Sequence, residues 1–248
     1  MMLKDKVAVI TGATRGIGRE IARTYAENGA KIVMTGTNHA RLQALYEDIS
    51  LKGVECIAMS GDVREEETAE KVVQEAINQF QRVDILVNNA GVNQRSSTLD
   101  MAINDWKRVI DTNLNGNLYF SRAVLLYMIK QKQGKIINIS STAAKSGHPN
   151  AAPSYGASKA AVDYLTKHLA LEMAPYNIVV NGLSPGPIET EMVQQWHDEY
   201  RKNVLTKVPL KRLGKPKDIA GAALFLASDL SGFITGETIN INGGTYMN

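Results

Sequence analysis

Tyr155 and Lys159 lie four residues apart in Tyr155-Gly156-Ala157-Ser158-Lys159, at the opening of a stretch with helical periodicity. Residues four apart share a helix face, so a phenol and an ammonium stand side by side. A free tyrosine has a pKa of about 10 and is a poor base at neutral pH. A neighbouring ammonium favours the phenolate and is expected to lower that pKa. The pair can then take a proton from an alcohol or give one to a ketone. Such a spacing alone is common on ordinary helices, so the surroundings carry the weight. Ser141 follows the apolar run that ends Asn138-Ile139-Ser140, at the carboxyl edge where open α/β sheets bind ligands. A serine there can hydrogen-bond a carbonyl oxygen as it gains charge. Asn88-Asn89-Ala90-Gly91 closes the preceding strand at the same edge, small and polar. Asn113 sits inside a long helical stretch between them. Asparagine is a mediocre helix former, so its place there invites a role, against the plainer option of a side chain in solvent or bridging two loops.

A second constellation lies near the N-terminus. The first apolar run, Val7-Ala8-Val9-Ile10, leads into Thr11-Gly12-Ala13-Thr14-Arg15-Gly16-Ile17-Gly18 and then a helix. Glycines let backbone pass close to a pyrophosphate, and the helix N-terminus offers free N–H groups and a positive dipole end. Tight strand-to-helix turns also need glycine, but the place after the first strand of a repeated β-α pattern favours a dinucleotide. An acidic residue at the end of the second strand would bind a ribose 2′-hydroxyl and favour NAD. That region reads Thr35-Gly36-Thr37-Asn38-His39, without a carboxylate. Arg15 in the loop can neutralise a 2′-phosphate, so the expected cofactor is NADP.

These residues require a scaffold of strand ends. Short β-branched runs alternate with amphipathic stretches: strands near 7–10, 31–35, 54–59, 84–88, 135–140 and 178–183, helices near 17–27, 40–51, 65–80, 104–131, 154–173 and from 217. Continuous apolar strands between helices indicate a parallel sheet covered on both faces. Right-handed crossovers make it doubly wound, a Rossmann-type α/β fold. No repeat or linker divides the chain, so residues 1–248 form one expected domain. Residues 188–213 break the rhythm, carrying Met192, Val193, Trp196, Tyr200, Val204 and Leu205 before Pro209. This insertion beside the strand ends reads as a substrate lid or as a helical pair filling a surface groove.

The bulk properties exclude other classes. The 248 residues carry a formal charge of +3 with both signs interspersed, so neither a nucleic-acid arm nor a membrane patch is expected. No run of about 18 apolar residues suggests a membrane span, and no secretory signal is visible, so a cytoplasmic location is expected. Cys56 is the sole cysteine and reads as a buried apolar filler. His39, His148, His168 and His197 are scattered, and no metal-ligand spacing appears.

The ordered set of motifs resembles the short-chain dehydrogenase/reductase family: the Thr11–Gly18 loop, Asn88-Asn89-Ala90-Gly91, Asn113, Ser141, Tyr155 with Lys159, Pro185-Gly186, Thr190 and Asn242-Gly243-Gly244. The resemblance spans essentially the whole chain. It implies that Tyr155 is the general acid/base, that Lys159 binds the nicotinamide ribose and tunes Tyr155, that Ser141 polarises the substrate oxygen, and that Asn113 holds a water linking Lys159 to solvent. It implies that Gly12, Thr14, Arg15, Gly16, Ile17 and Gly18 receive the phosphates. Thr37, Asp62 and Val63 would lie at the adenosine, Asn89, Ala90 and Gly91 along the cofactor, and Pro185, Gly186, Ile188 and Thr190 at the nicotinamide. Hydride passes directly between substrate and cofactor in this family, without a metal. The wording is similar to bacterial 3-oxoacyl-acyl carrier protein reductases, which implies an acyl thioester substrate and docking of an acidic carrier protein, with Lys130, Lys132 and Lys135 as candidate contacts. Many such reductases carry an Arg-Gly pair where this chain has Tyr176-Asn177. Another ketone or secondary alcohol (a sugar, polyol or steroid) remains the alternative. An epimerase would use the same Tyr and Lys in a longer chain, and a binding protein would be expected to lack one of the four groups. The segment 148–153, before Tyr155, is expected to line the substrate site. The helix carrying Ala157, Ala160, Ala161, Val162, Leu165, Leu169 and Ala170, and the stretch 123–129, are apolar beyond one face. With the resemblance, this implies a homotetramer.

Overall fold

The strands are built from β-branched and apolar residues that alternate between two faces of one sheet. Val7 and Val9 of β1 (Val7–Thr11) pack on one side, and Ala8 and Ile10 on the other. The computed structural model describes residues 1–147, 151–191, 193 and 196–247. Its elements follow in order: α1 (Gly16–Glu27), β2 (Lys31–Gly36), α2 (His39–Ser50), β3 (Cys56–Ser60), α3 (Glu66–Phe80), β4 (Ile85–Asn88), α4 (Ile103–Ile110), α5 (Gly116–Gln131), β5 (Gly134–Ile139), α6 (Pro153–Met173), β6 (Ile178–Pro185), α7 (Asp198–Lys207), α8 (Pro216–Ala227) and β7 (Thr238–Ile241). All seven strands are parallel, in the order β3-β2-β1-β4-β5-β6-β7. The doubly wound sheet expected from the sequence is therefore present.

The chain winds outward from β1 through β3, then starts again at β4 and winds the other way. This reversal leaves a crevice above the carboxyl ends of β1 and β4. Two apolar layers hold the helices on the sheet. Ile10, Met34 and Ile85 pack with Ile21, Tyr25, Ile219 and Ala223 from α1 and α8. Val9, Leu86, Ile136 and Val180 pack with Val72, Phe120, Val124 and Leu169 from α3, α5 and α6. Cys56 is half-buried in β3, and burial pushes its thiol up, consistent with a packing role.

Three elements differ from the sequence reading. The helix expected over 104–131 is interrupted by a π-helical segment at Asp111–Asn115, between α4 and α5. β7 lies outside the strands read from the sequence; its Thr238-Ile239-Asn240-Ile241 alternates polar and apolar residues and does not form the continuous apolar run that marks the other strands. Among its described residues the 188–213 segment contains one helix, α7, with no fully buried residue, rather than a packed pair. It is anchored at its ends by buried Val193, Val208 and Leu213. Met192 lies outside the described residues.

A buried polar network ties together the elements that carry the site. Asn138 of β5 accepts from the Asn88 amide of β4 at 3.0 Å and from Asn117 of α5 at 3.2 Å, and donates to Thr166 of α6 at 2.9 Å. Ser121 of α5 joins through Asn88 at 3.1 Å. Apolar residues in these places would pack without fixing the relative depth of strand and helix, whereas the hydrogen bonds define it. Asn138→Ala orphans three buried partners, so it is expected to destabilise the fold by about 2–4 kcal/mol. The check is a lower urea midpoint at unchanged slope.

Candidate active site

A cleft of about 770 Å³ opens above the β1/β4 switch, within the range of small-molecule sites. Along it lie Gly12, Thr14, Arg15, Gly16 and Ile17 of the loop, Thr37 after β2, Asp62 and Val63 after β3, and Asn89, Ala90 and Gly91 after β4. Ser141, Tyr155, Lys159, Pro185, Gly186, Ile188 and Thr190 complete the same wall. Of the residues singled out in the sequence, Gly18 and Asn113 do not line it.

Gly18 acts from beneath. A Cβ there would stand 2.4 Å from both the Asn89 amide nitrogen and the Gly12 oxygen. The Asn89 amide itself donates to the Thr11 and Gly12 carbonyls at 2.9 and 3.0 Å. Gly12 and Gly16 adopt φ of +64° and +53°, a region that side chains disfavour. The loop thus lies flat on the β4 turn and delivers the start of α1 to the cleft. Arg15 precedes that helix without a side-chain cap, so the first N–H groups have no side-chain partner there.

At the other end, the hydroxyls of Tyr155 and Ser141 are hydrogen-bonded. Pro153 opens α6, a position that suits its fixed φ, and sets Tyr155 in the first turn. Lys159 lies one turn on, its Nζ donating to the Ile139 carbonyl at 2.7 Å and standing 5.9 Å from the Tyr155 ring centre. Asn113 occupies the π-helical segment. Its Oδ1 accepts from the Val92 N–H at 2.8 Å, and its amide donates to the Val92 carbonyl and to Ser158 Oγ, both at 3.0 Å. Neither open alternative from the sequence describes it fully: it pins the strand-four turn to α6 from a buried position.

The expected lowering of the Tyr155 pKa is not found. Burial pushes its hydroxyl up, and the Ser141 hydrogen bond offsets this only in part. Burial also pushes Lys159 down to about 8, opposed by the charge of Asp163 one turn further along α6. The side-by-side placement was legible, but the degree of burial, which reverses the sign for Tyr155, was not.

Val193 and Trp196 of the expected lid line the cleft, with Glu191 from the same segment. Arg41, Arg64, Arg108 and Asn93 also line it and were not singled out in the sequence. Arg64 pairs with Asp62 at 2.6 Å and holds that carboxyl below the usual range. Arg41, in the first turn of α2 after the Asn38 cap, could have been suspected from its place just past β2. Arg95 stands over the rings of Trp196 and Tyr200 at 5.9 and 5.4 Å. Ala152 of the 148–153 segment bonds to the Gln94 carbonyl at 3.2 Å, while 148–150 lie outside the described residues.

A family model described as enoyl-(acyl carrier protein) reductase matches residues 12–246. The 3-oxoacyl-acyl carrier protein reductase of Vibrio cholerae is 42% identical over 247 residues, covering 100% of both chains. That of Aquifex aeolicus is 40% identical over 245 residues, covering 98% of both. A crystal structure of a short-chain type dehydrogenase/reductase from Mycobacterium marinum superposes with a TM-score of 0.94 at 34% identity, covering 99% of this chain and 97% of that one. The chain belongs to the short-chain dehydrogenase/reductase family. It is an oxidoreductase acting on CH–OH groups.

Two family features can be placed. Asn177 takes the left-handed conformation, φ 57°, which asparagine tolerates better than most residues. Asn177 can therefore hold this turn without a glycine. Lys135 is a correction: its Nζ turns inward to the Ser228 carbonyl and to Ser231 Oγ, and burial lowers its pKa. It is not a surface contact, whereas Lys130 and Lys132 are exposed. No helix among the described residues is long and apolar enough to cross a membrane.

Gly18→Ala forces its new methyl into Asn89 and the Gly12 carbonyl. It is expected to cost about 1–3 kcal/mol, read as a lower melting temperature. The same change at open Gly53, where a Cβ meets nothing within 4 Å but φ is +77°, should cost only the smaller backbone strain of about 1 kcal/mol.

Proposed function

We propose that the protein reduces a ketone to a secondary alcohol with NADPH, and that the ketone is a 3-oxoacyl thioester. The observation that carries this reading is the Ser141–Tyr155 hydroxyl pair, facing the cleft with Lys159 one helical turn behind. Two hydroxyls meeting at one point suit a single carbonyl oxygen. The full-length likeness to 3-oxoacyl reductases supports the substrate class. The cofactor fits the cleft on three counts: a glycine loop that lies flat, an uncapped helix start, and no carboxylate at the end of β2.

When bound, NADPH supplies the hydride that reaches the carbonyl carbon. Ser141 and Tyr155 hold the carbonyl oxygen as negative charge develops there. Tyr155, its hydroxyl pushed up by burial, rests as a phenol at neutral pH and gives its proton to that oxygen. The resting state is thus an acid, suited to reduction. Lys159 binds the nicotinamide ribose and stabilises the transient phenolate. Asn113 has both amide hydrogens engaged, so a water linking Lys159 to solvent would be held by oxygen atoms. Gly12, Thr14, Arg15, Gly16, Ile17 and Gly18 take or support the phosphates, with Arg15 and Thr37 near the 2′-phosphate. Asp62 and Val63 flank the adenine, Asn89, Ala90 and Gly91 the central cofactor, and Pro185, Gly186, Ile188 and Thr190 the nicotinamide. Residues 188–213 serve as a lid over one domain, and exposed Lys130 and Lys132 are the remaining cations for a carrier protein. Leu126 on α5 and Tyr164 and Leu171 on α6 are 65%, 70% and 82% exposed, which supports assembly of a homotetramer through these helices.

The test is the initial rate of NADPH oxidation against a 3-oxoacyl thioester, simple β-ketoesters, steroid ketones and keto-sugars. Thioester turnover should dominate and fall by about 10²–10⁴-fold in Tyr155→Phe. Turnover of another ketone alone would keep the mechanism and discard the thioester. Lys159, with its pKa pushed to about 8, is charged below that pH and neutral above it. The rate of reduction should therefore hold through neutral pH and decline as pH rises past about 8, in a profile recorded at saturating NADPH.

A further inference from the structure

Among the described residues, the 188–213 segment is joined to α2 by one ion pair. Glu191 Oε2 meets Arg41 Nη1 at 2.7 Å. Arg212 and Arg201, the other paired cations of the segment, reach only to Asp218 of α8 and to Glu189 within it. The two partners of the Glu191–Arg41 pair are 150 residues apart in the chain, and both line the cleft. Their side chains are 35% and 49% exposed, so the pair lies near the surface and not in the core.

The position of Arg41 matters more than its exposure. It stands in the first turn of α2, its backbone N–H received by the Asn38 side chain at 2.9 Å. Thr37, Asn38 and Arg15 face the same end of the cleft. The neighbouring charges divide cleanly. Arg64 is engaged by Asp62 at 2.6 Å, and Arg41 by Glu191. Arg15 makes no ion pair among the described residues. A dianionic group arriving at this end would find one open cation in Arg15 and a second, Arg41, held by a carboxylate. Phosphate binds guanidinium in the same forked geometry as carboxylate, with more charge. The two anions therefore compete for one partner.

We infer that Glu191 is an internal competitor of the cofactor's 2′-phosphate for Arg41, so that binding of the 2′-phosphate releases the start of the 188–213 segment from α2. This inference rests on the NADP reading proposed above. It adds a specificity-determining residue that acts through Arg41. A cofactor without the 2′-phosphate would leave the Glu191–Arg41 bond intact. Glu191 lowers affinity for the phosphorylated form, because its bond to Arg41 must first be broken. An exposed ion pair of this kind carries a modest free energy, so the effect is a tuning of affinity and not an on–off switch.

The test uses the whole protein and two probes that differ only in the phosphate: adenosine 2′,5′-bisphosphate and adenosine 5′-monophosphate. Dissociation constants are measured by calorimetry for the wild type, Glu191→Gln, Arg41→Gln and the double variant. Glu191→Gln is expected to tighten the bisphosphate by about threefold to fivefold and to leave the monophosphate unchanged. Arg41→Gln should weaken the bisphosphate by about tenfold, and in that background Glu191→Gln should have no further effect. Amide hydrogen exchange in the 196–207 stretch should rise when the bisphosphate binds, and should already be raised in unliganded Glu191→Gln. An unchanged or weaker bisphosphate affinity in Glu191→Gln, with the wild type still preferring the bisphosphate, would overturn the competition and leave the NADP reading standing. A wild type that binds both probes equally would overturn both.

Discussion

The close passage of the Gly12–Gly18 loop over the Asn89-Ala90 turn is the contact on which the site depends. A Cβ on Gly12 would meet the Ala90 Cα at 2.8 Å, and one on Gly18 would meet the Asn89 amide at 2.4 Å. The Asn89 side chain fills the narrow space below and bonds to two loop carbonyls. Thr11 closes the arrangement from the strand side, accepting from the Asn89 and Ala90 N–H groups at 3.0 Å each. The loop and the β4 turn are therefore one rigid piece, and α1 starts where that piece directs it. A dinucleotide site built this way takes its shape from backbone proximity, which explains why residues with little chemistry of their own recur through it.

The catalytic end is held by a different device. Ser141 follows β5 and Tyr155 opens α6, and β4, β5, α5 and α6 are locked to each other by the Asn88–Asn117–Asn138–Thr166 hydrogen bonds. Asn113 adds a second lock, from the π-helical segment to Val92 and Ser158. Ser158 in turn donates to the Tyr155 carbonyl at 2.8 Å. These bonds lie in the low-dielectric interior, where each is worth more than at the surface, although Asn88 Oδ1 is left without a partner among the described residues. A hydride-transfer geometry tolerates little displacement, so polar residues that look unremarkable in sequence serve to fix the depth of Tyr155.

The parallel, doubly wound character of the sheet and the glycine-loop, Ser141, Tyr155 and Lys159 positions were legible because they depend on local signals. Periodicity marks buried strands, glycines mark the turn, and Tyr155 and Lys159 share a face by helical spacing alone. What escaped the sequence depends on tertiary distance. The π-helical break at Asp111–Asn115 lies in a stretch whose apolar pattern reads as one helix. Lys135 was assigned to the surface by its place after a helix, yet the third dimension brings Ser228 and Ser231 to its Nζ. Arg41 and Glu191 stand 150 positions apart, and no spacing rule joins them.

The same distinction explains the Tyr155 pKa. A Tyr-x-x-x-Lys pattern specifies a neighbour but says nothing about solvent, and for a buried phenol desolvation opposes ionisation. Lys159 is caught by the same burial and is pushed down to about 8, where its charge is retained at neutral pH by a narrow margin. Asp163, one turn beyond Lys159, supports that charge while itself paired to Lys145 at 2.7 Å. A short series thus runs along one face of α6, in which the Asp163 carboxylate supports the charge of Lys159 one turn from the Tyr155 phenol. Burial therefore favours the protonated form of Tyr155, and the Ser141 hydrogen bond opposes it only in part.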